Sequence, residues 1–295
     1  MSTSKTPRPS TPAFDFADLP DPAGEDEAEV AFAPLQSSAA PSVTVECGPP
    51  PDLSGMAKVW CLIGRGRSGK TMLGRWQAET VAARGGTQSV VALDQGGRRG
   101  LVDFVAGVKA PPTDDAEAGA AWAERWLRFL MGGKHNGMAD FGGGDTILRR
   151  LVEERMPGLA EALEAEGLAP VAVYLVGTDP YDLGPLANLE AAGFQPRAVA
   201  IVLNEGLADP TQRRADFRRV LGHSAFKLAV AHGAQVLWMP RLVPEVAATV
   251  AARRLTFAAA GGPPSPLAPF DAARVRKWSE AMAGEFDRVR SWVPT

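Results

Sequence analysis

The stretch Lys58-Val59-Trp60-Cys61-Leu62-Ile63-Gly64-Arg65-Gly66-Arg67-Ser68-Gly69-Lys70-Thr71 decides how this chain is read. Its first six residues are mostly apolar and of strand length. The segment Met72 to Ala83 that follows has helical composition. Between them the run Gly64 to Thr71 satisfies G-x-x-x-x-G-K-[ST], the pattern of a phosphate-binding loop. The pattern has a physical basis. Backbone N–H groups of the loop and the first helical turn converge on one point, where the helix dipole adds positive potential. Gly64, Gly66, Arg67, Ser68, Gly69 and Met72 supply the cradle. Lys70 is placed to reach the β- and γ-phosphates of a nucleoside triphosphate, and the Thr71 hydroxyl to bind Mg²⁺.

Outward from the loop, apolar runs alternate with helical segments. Strands are expected at 88–93, 171–176, 198–203 and 235–239, with a short strand end at 137–140. Helices are expected at 116–131, 146–166 (broken near Pro157-Gly158), 183–192, 211–232 and 271–292. Continuous apolar strands separated by helices imply strands buried on both faces. The expected fold class is therefore α/β: a mostly parallel sheet with helices on both faces, as in a P-loop NTPase. Residues 1–52 are rich in Pro, Ser and Ala around an acidic cluster, and read as a disordered tail. Residues 53–260 read as the nucleotide-binding domain. Residues 261–295 read as a linker and an amphipathic helix packed on the domain or on a partner.

Bulk composition excludes several classes. The chain has 295 residues, 45% of them apolar and 22% charged, with a net charge of −3. This balance does not point to a nucleic-acid protein, although it leaves room for a local basic patch. Two cysteines without C-x-x-C spacing argue against a zinc site or a disulfide scaffold. The absence of an apolar run of membrane length, and of a secretory leader, leads us to expect a cytoplasmic protein.

In such a sheet, ligand chemistry gathers at the carboxyl ends of strands. Asp140, in Asp140-Phe141-Gly142-Gly143-Gly144-Asp145, is the candidate second Mg²⁺ ligand. Gly143 is the candidate backbone next to the γ-phosphate, and Asp145 a helix cap. Asp94 ends the second strand, where a carboxylate can orient an attacking water. Asn204 follows the strand 198–203, and its amide suits an adenine edge. Pro240 ends the next strand and is placed to wall the base.

On these residues the chain resembles the ParA/MinD family of deviant-Walker ATPases, whose loop reads G-K-G-G-x-G-K-[ST]. The resemblance spans roughly residues 57 to 255. It covers the loop, Asp94-Gln95, the D-x-x-G element at Asp140 to Gly143, Asn204 and the Pro240 loop. The run Asp140 to Thr146 and the turn Asn204-Glu205-Gly206 look similar to a plasmid-stability, StbB-like branch. The family's signature lysine falls at Arg65, and Arg67 replaces a second family glycine. The resemblance implies ATP and Mg²⁺ as cofactors, an ATP-dependent homodimer with slow turnover, and a partner protein that stimulates hydrolysis. Its output would be plasmid or chromosome partitioning. Arg65 is then a candidate arginine finger acting across the dimer.

Surface patterns suggest partners. Arg213, Arg214, Arg218 and Arg219, read on one helix, form a candidate patch for non-specific DNA contact. The last helix carries Val275, Trp278, Met282, Phe286 and Trp292 at helical spacing. Its mixed-charge polar face argues against a membrane and for packing on protein. Two other functions fit the loop: a small-molecule kinase or ligase using Asp179, Tyr181 and Asp182, and an ATP-bound adaptor that does not hydrolyse.

Overall fold

A computed structural model describes residues 45–93, 100–112, 114–142 and 146–295. Asp94, Gly143 and Asp145 therefore lie outside the described residues, as does the expected tail up to residue 44.

Six strands form one sheet: β1 (Ala57–Ile63), β2 (Ser89–Leu93), β3 (Gly137–Phe141), β4 (Leu168–Val176), β5 (Ala198–Asn204) and β6 (Gln235–Met239). They are ordered β2-β3-β1-β4-β5-β6, and every pairing is parallel. Their residues are nearly all buried, because helices cover both faces.

Alternation along β1 divides the core in two. Val59, Cys61 and Ile63 face a cluster with Trp126 and Leu130 of α2 (Ala116–Gly133). That cluster also takes in Leu148 of α3 (Thr146–Arg150), Leu163 of α4 (Leu159–Ala165) and Leu186 of α5 (Gly184–Ala191). Val220 of α6 (Arg218–Gly222) and Phe226 of α7 (Ser224–Ala231) complete it. Trp60 and Leu62 face the other way. Their cluster holds Leu73 and Trp76 of α1 (Lys70–Ala83), Val246 of α8 (Pro244–Ala252) and Phe257 of α9 (Phe257–Gly261). It closes with Trp278, Met282 and Phe286 of α10 (Pro269–Asp287).

The apolar stripe of α10 is thus spent on the sheet. Residues 45–53 also lie against the folded chain. Leu53 is fully buried, the Trp292 indole donates to Pro51 O (2.8 Å), and Gln235 donates to Gly48 O (3.0 Å).

One expectation needs correction. The segment 211–232 is not one helix. Residues Arg213–Phe217 form a 3₁₀ turn entered at φ +49, α6 ends at Gly222, and His223 is extended (φ −71°, ψ 142°). Helix 146–166 breaks at Met156 to Gly158, at the expected Pro157-Gly158, after a π-helical turn at Leu151–Arg155.

Candidate functional site

The loop leaves β1 at Gly64 and re-enters regular structure at Lys70, the first residue of α1. Gly69 caps that helix with φ +101, a conformation that favours glycine. Space makes the same demand: a Cβ on Gly69 would sit 2.6 Å from Asn204 Nδ2 and 2.8 Å from Met239 Cε. Arg67 holds φ +64 with its side chain exposed. That strain, about 1–3 kcal/mol for a non-glycine residue, falls at the position where the resembled family has its glycine.

Lys70 is buried, with 7% exposure, and its Nζ donates to Gly64 O (2.7 Å) and Arg65 O (3.0 Å). The ammonium is therefore folded back into the loop. The first intrahelical bond, Leu73 N to Gly69 O, leaves the N–H groups of the preceding turn directed toward the loop. Ser68 Oγ is buried and has no hydrogen-bond partner among the described residues. Buried hydroxyls normally have one, so the loop fits an oxygen-rich anion. Thr71 and Met72 are partly exposed in the first turn.

The sheet brings two more candidates to this loop. Asp140, with 3% exposure, pairs in register with Leu62 of β1. Alternation puts it on the face of Met138, Leu62 and α1, the face on which Thr71 begins the helix. Asn204 ends β5 on that same face. Its Nδ2 donates to Ser68 O (2.7 Å), and its Oδ1 accepts from Gly206 N (2.9 Å). Nδ2 thus braces the loop and Oδ1 braces the turn after β5, so an adenine edge would meet the second N–H and second lone pair of this amide. Pro240 follows β6, with its carbonyl accepting from the Trp278 indole (2.8 Å).

Arg65 points away from the loop interior. Its Nη1 lies 3.3 Å from Asp182 Oδ1 and 3.7 Å from Asp179 Oδ2, in the turn after β4. Sequence reading assigned those carboxylates to a small-molecule pocket and missed this pairing, which joins residues 117 apart.

The basic patch is smaller than expected. Arg214 is held by Glu205 (2.5 Å) and Glu285 (3.4 Å), and it stacks over Trp238 at 4.4 Å. Arg213, Arg218 and Arg219 are exposed, but they lie on two elements.

A parallel sheet with this loop at the carboxyl end of a central strand has the architecture of the P-loop class of nucleotide-binding folds. The sequence matches no protein-family model and no curated protein. Among solved structures, the chain is similar to the MinD cell division protein of Aquifex aeolicus. Identity is 13% and TM-score 0.43, over 78% of this chain and 98% of that one. It is also similar to chloroplast FtsY of Physcomitrella patens. There the identity is 14% and the TM-score 0.42, over 66% of this chain and 61% of that one. No helix among the described residues is long and apolar enough to cross a membrane.

Proposed function

We propose that this chain binds ATP·Mg²⁺ in the Gly64–Thr71 loop and hydrolyses it slowly, as a dimerisation switch of the ParA/MinD type serving plasmid or chromosome partitioning. The observation that carries the reading is the loop itself. A buried lysine is folded onto its own loop carbonyls, and an orphaned hydroxyl lies beside it, at the end of a strand flanked by Asp140. A bound phosphate chain would give Lys70 a charged acceptor, stronger than the carbonyls of Gly64 and Arg65. When bound, ATP supplies the reactive γ-phosphoryl group, and Thr71 and Asp140 would hold Mg²⁺.

Asp94 and Gly143 complete the proposed site as water-orienting and γ-phosphate-facing groups. Arg65 is the group we assign to the partner's nucleotide. DNA contact, in this reading, falls to Arg213, Arg218 and Arg219. A partner protein that stimulates turnover belongs to the same reading.

The test is solution mass with and without ATP·Mg²⁺, with steady-state hydrolysis, in wild type and Lys70→Ala. An ATP-dependent dimer with slow turnover, both lost in the variant, is expected. A monomer indifferent to ATP overturns the switch and favours a kinase or ligase. A dimer without turnover favours an adaptor.

A further inference from the structure

At the end of the sheet where β2 and β3 begin, opposite the phosphate loop, a cleft of about 320 Å³ is lined by Gln88, Lys109, Phe129, Lys134, His135 and Asn136 among others. Phe129 lies near the end of α2 and is 56% exposed. Its ring stacks on the His135 imidazole, with centroids 4.9 Å apart and planes at 29°. Glycine makes this possible. A Cβ on Gly133 would lie within 3 Å of three ring atoms of His135, so the imidazole rests directly on the last turn of the helix.

The cations come from both sides. Lys134 turns the chain at φ +50, and its N–H and that of His135 bond Met131 O and Leu130 O. Carbonyls at the helix end are thereby satisfied within the chain and face an anion less directly. Lys109 pairs strand-fashion with β2, through bonds to Val90 O (3.1 Å) and from Ala92 N (2.9 Å). Asn136 is fixed by bonds to Thr87 O and from Lys58 N, and Gln88 by a reciprocal amide pair with Gln77. No carboxylate appears in the lining of the cleft among the described residues, although the chain as a whole is net acidic.

An exposed aromatic platform and two ammonium groups match a planar heteroaromatic ring that carries a phosphate. We propose that this cleft binds a nucleotide unit, its base stacked on the Phe129–His135 pair and its phosphate held by Lys109 and Lys134. The site is separate from the Gly64–Thr71 loop, and the proposal does not depend on what that loop does. A free mononucleotide and a nucleotide within a single strand present the same chemistry.

The test is fluorescence anisotropy of the full chain with a labelled single-stranded oligothymidylate of roughly ten nucleotides, with unlabelled thymidine monophosphate as competitor. Phe129→Ala should weaken binding about tenfold. The double variant Lys109→Ala/Lys134→Ala should reduce the slope of log K against log salt by about 0.7, the value for one phosphate of a single strand. Lys70→Ala should change neither. Thermal melts should match wild type, since all three altered side chains lie at the surface.

Efficient displacement by the monophosphate identifies a free nucleotide as the source. Binding of the strand alone identifies single-stranded nucleic acid. Either result supports the site. Binding of neither probe overturns the proposal, as does equal affinity in Phe129→Ala or loss of signal in Lys70→Ala. Duplex DNA bound as tightly, and indifferent to Phe129, marks a plain electrostatic surface and overturns it too.

Discussion

Arg65 Nη1 stands 3.3 Å from Asp182 Oδ1, while the other oxygen of Asp182 accepts the Gly177 N–H at 2.8 Å. The carboxylate is thus fixed by backbone on one side and faces the arginine with the other. Arg65 is half exposed (52%) and Asp182 is not (12%), so the arginine is the mobile partner. Reaching a second subunit requires Arg65 to leave this carboxylate. Asp182→Asn keeps an oxygen for Gly177 and removes the charge. We expect it to lower the ATP concentration needed for dimerisation, read by light scattering. The effect on stability should be under about 1 kcal/mol, as for exposed ion pairs. Arg65→Ala should slow turnover by about 10³-fold if the side chain acts as an arginine finger. Unchanged turnover in that variant sinks the assignment.

Asn204 and Gly69 form a second pair whose disruption is specific. Asn204→Ala leaves Ser68 O and Gly206 N without their side-chain partner, at a cost of about 1–3 kcal/mol if they stay buried. Asn204→Asp keeps the acceptor for Gly206 but turns a carboxylate toward Ser68 O and the phosphate position. Both variants should weaken ATP binding in calorimetry, Asp more than Ala. Gly69→Ala adds a Cβ within 2.6 Å of the same amide at φ +101, and we expect the largest loss of binding from it. Wild-type affinity in Gly69→Ala contradicts the view that the loop is braced through this contact.

How much of this was legible depended on sequence separation. β1, the loop and α1 are contiguous, and local rules suffice there: an apolar run, a glycine pattern, a helix. β4, β5 and β6 announce themselves because both of their faces are buried. β3 shows in the sequence only as a short strand end at 137–140, since it begins at a glycine and carries a buried aspartate; its full pairing comes from lying between β2 and β1. The segment 211–232 kept helical spacing through Phe217, Val220 and Phe226, all buried. Spacing is blind to the extended His223 that breaks it. α8, opening at Pro244, went unread because its apolar positions Val246 and Val250 are sparse. No local signal announced that Asp182 meets Arg65 or that Arg214 is claimed by Glu205, Glu285 and Trp238. The stacked Phe129–His135 pair was missed for a simpler reason: a lone histidine with no metal spacing carries no motif.

Cys61 lies near the end of β1, shortly before the loop that opens at Gly64, with 4% exposure, and burial pushes its thiol up to about 12. Thiolate is the reactive form. Of the two cysteines, only the half-buried Cys47 should react quickly with a disulfide reagent in the folded protein. Cys61 should react only when β1 opens. Saturating ATP·Mg²⁺ should slow that second phase if the loop binds it, because a ligand bound only to the native state lowers the open population. Two equivalents reacting at once in native buffer contradict the burial of β1.

Glu79 ties α1 to α9, accepting Phe257 N–H at 2.7 Å and Ala258 N–H at 3.3 Å. One turn earlier, Arg75 is 5% exposed, donates to Leu255 O (2.9 Å), and lies between the rings of Phe104 (4.1 Å) and Phe257 (4.8 Å). Burial raises the Glu79 carboxyl above its ordinary 4.5, against the pull of the two N–H groups and of Arg75. The native state therefore holds this proton more tightly than the unfolded chain. By linkage, stability falls as pH rises from 4.5 through the raised native value, and is level above it. Glu79→Gln keeps an acceptor for Phe257 and removes the titration. Urea unfolding between about pH 4 and pH 7 should show wild type losing stability relative to this variant over the lower part of the range. Arg75→Met removes a buried cation that opposes the shift, so the decline should extend to higher pH. A wild-type minus Glu79→Gln difference that stays flat across the range would mean that the carboxylate is as well solvated at the α1–α9 contact as in the open chain.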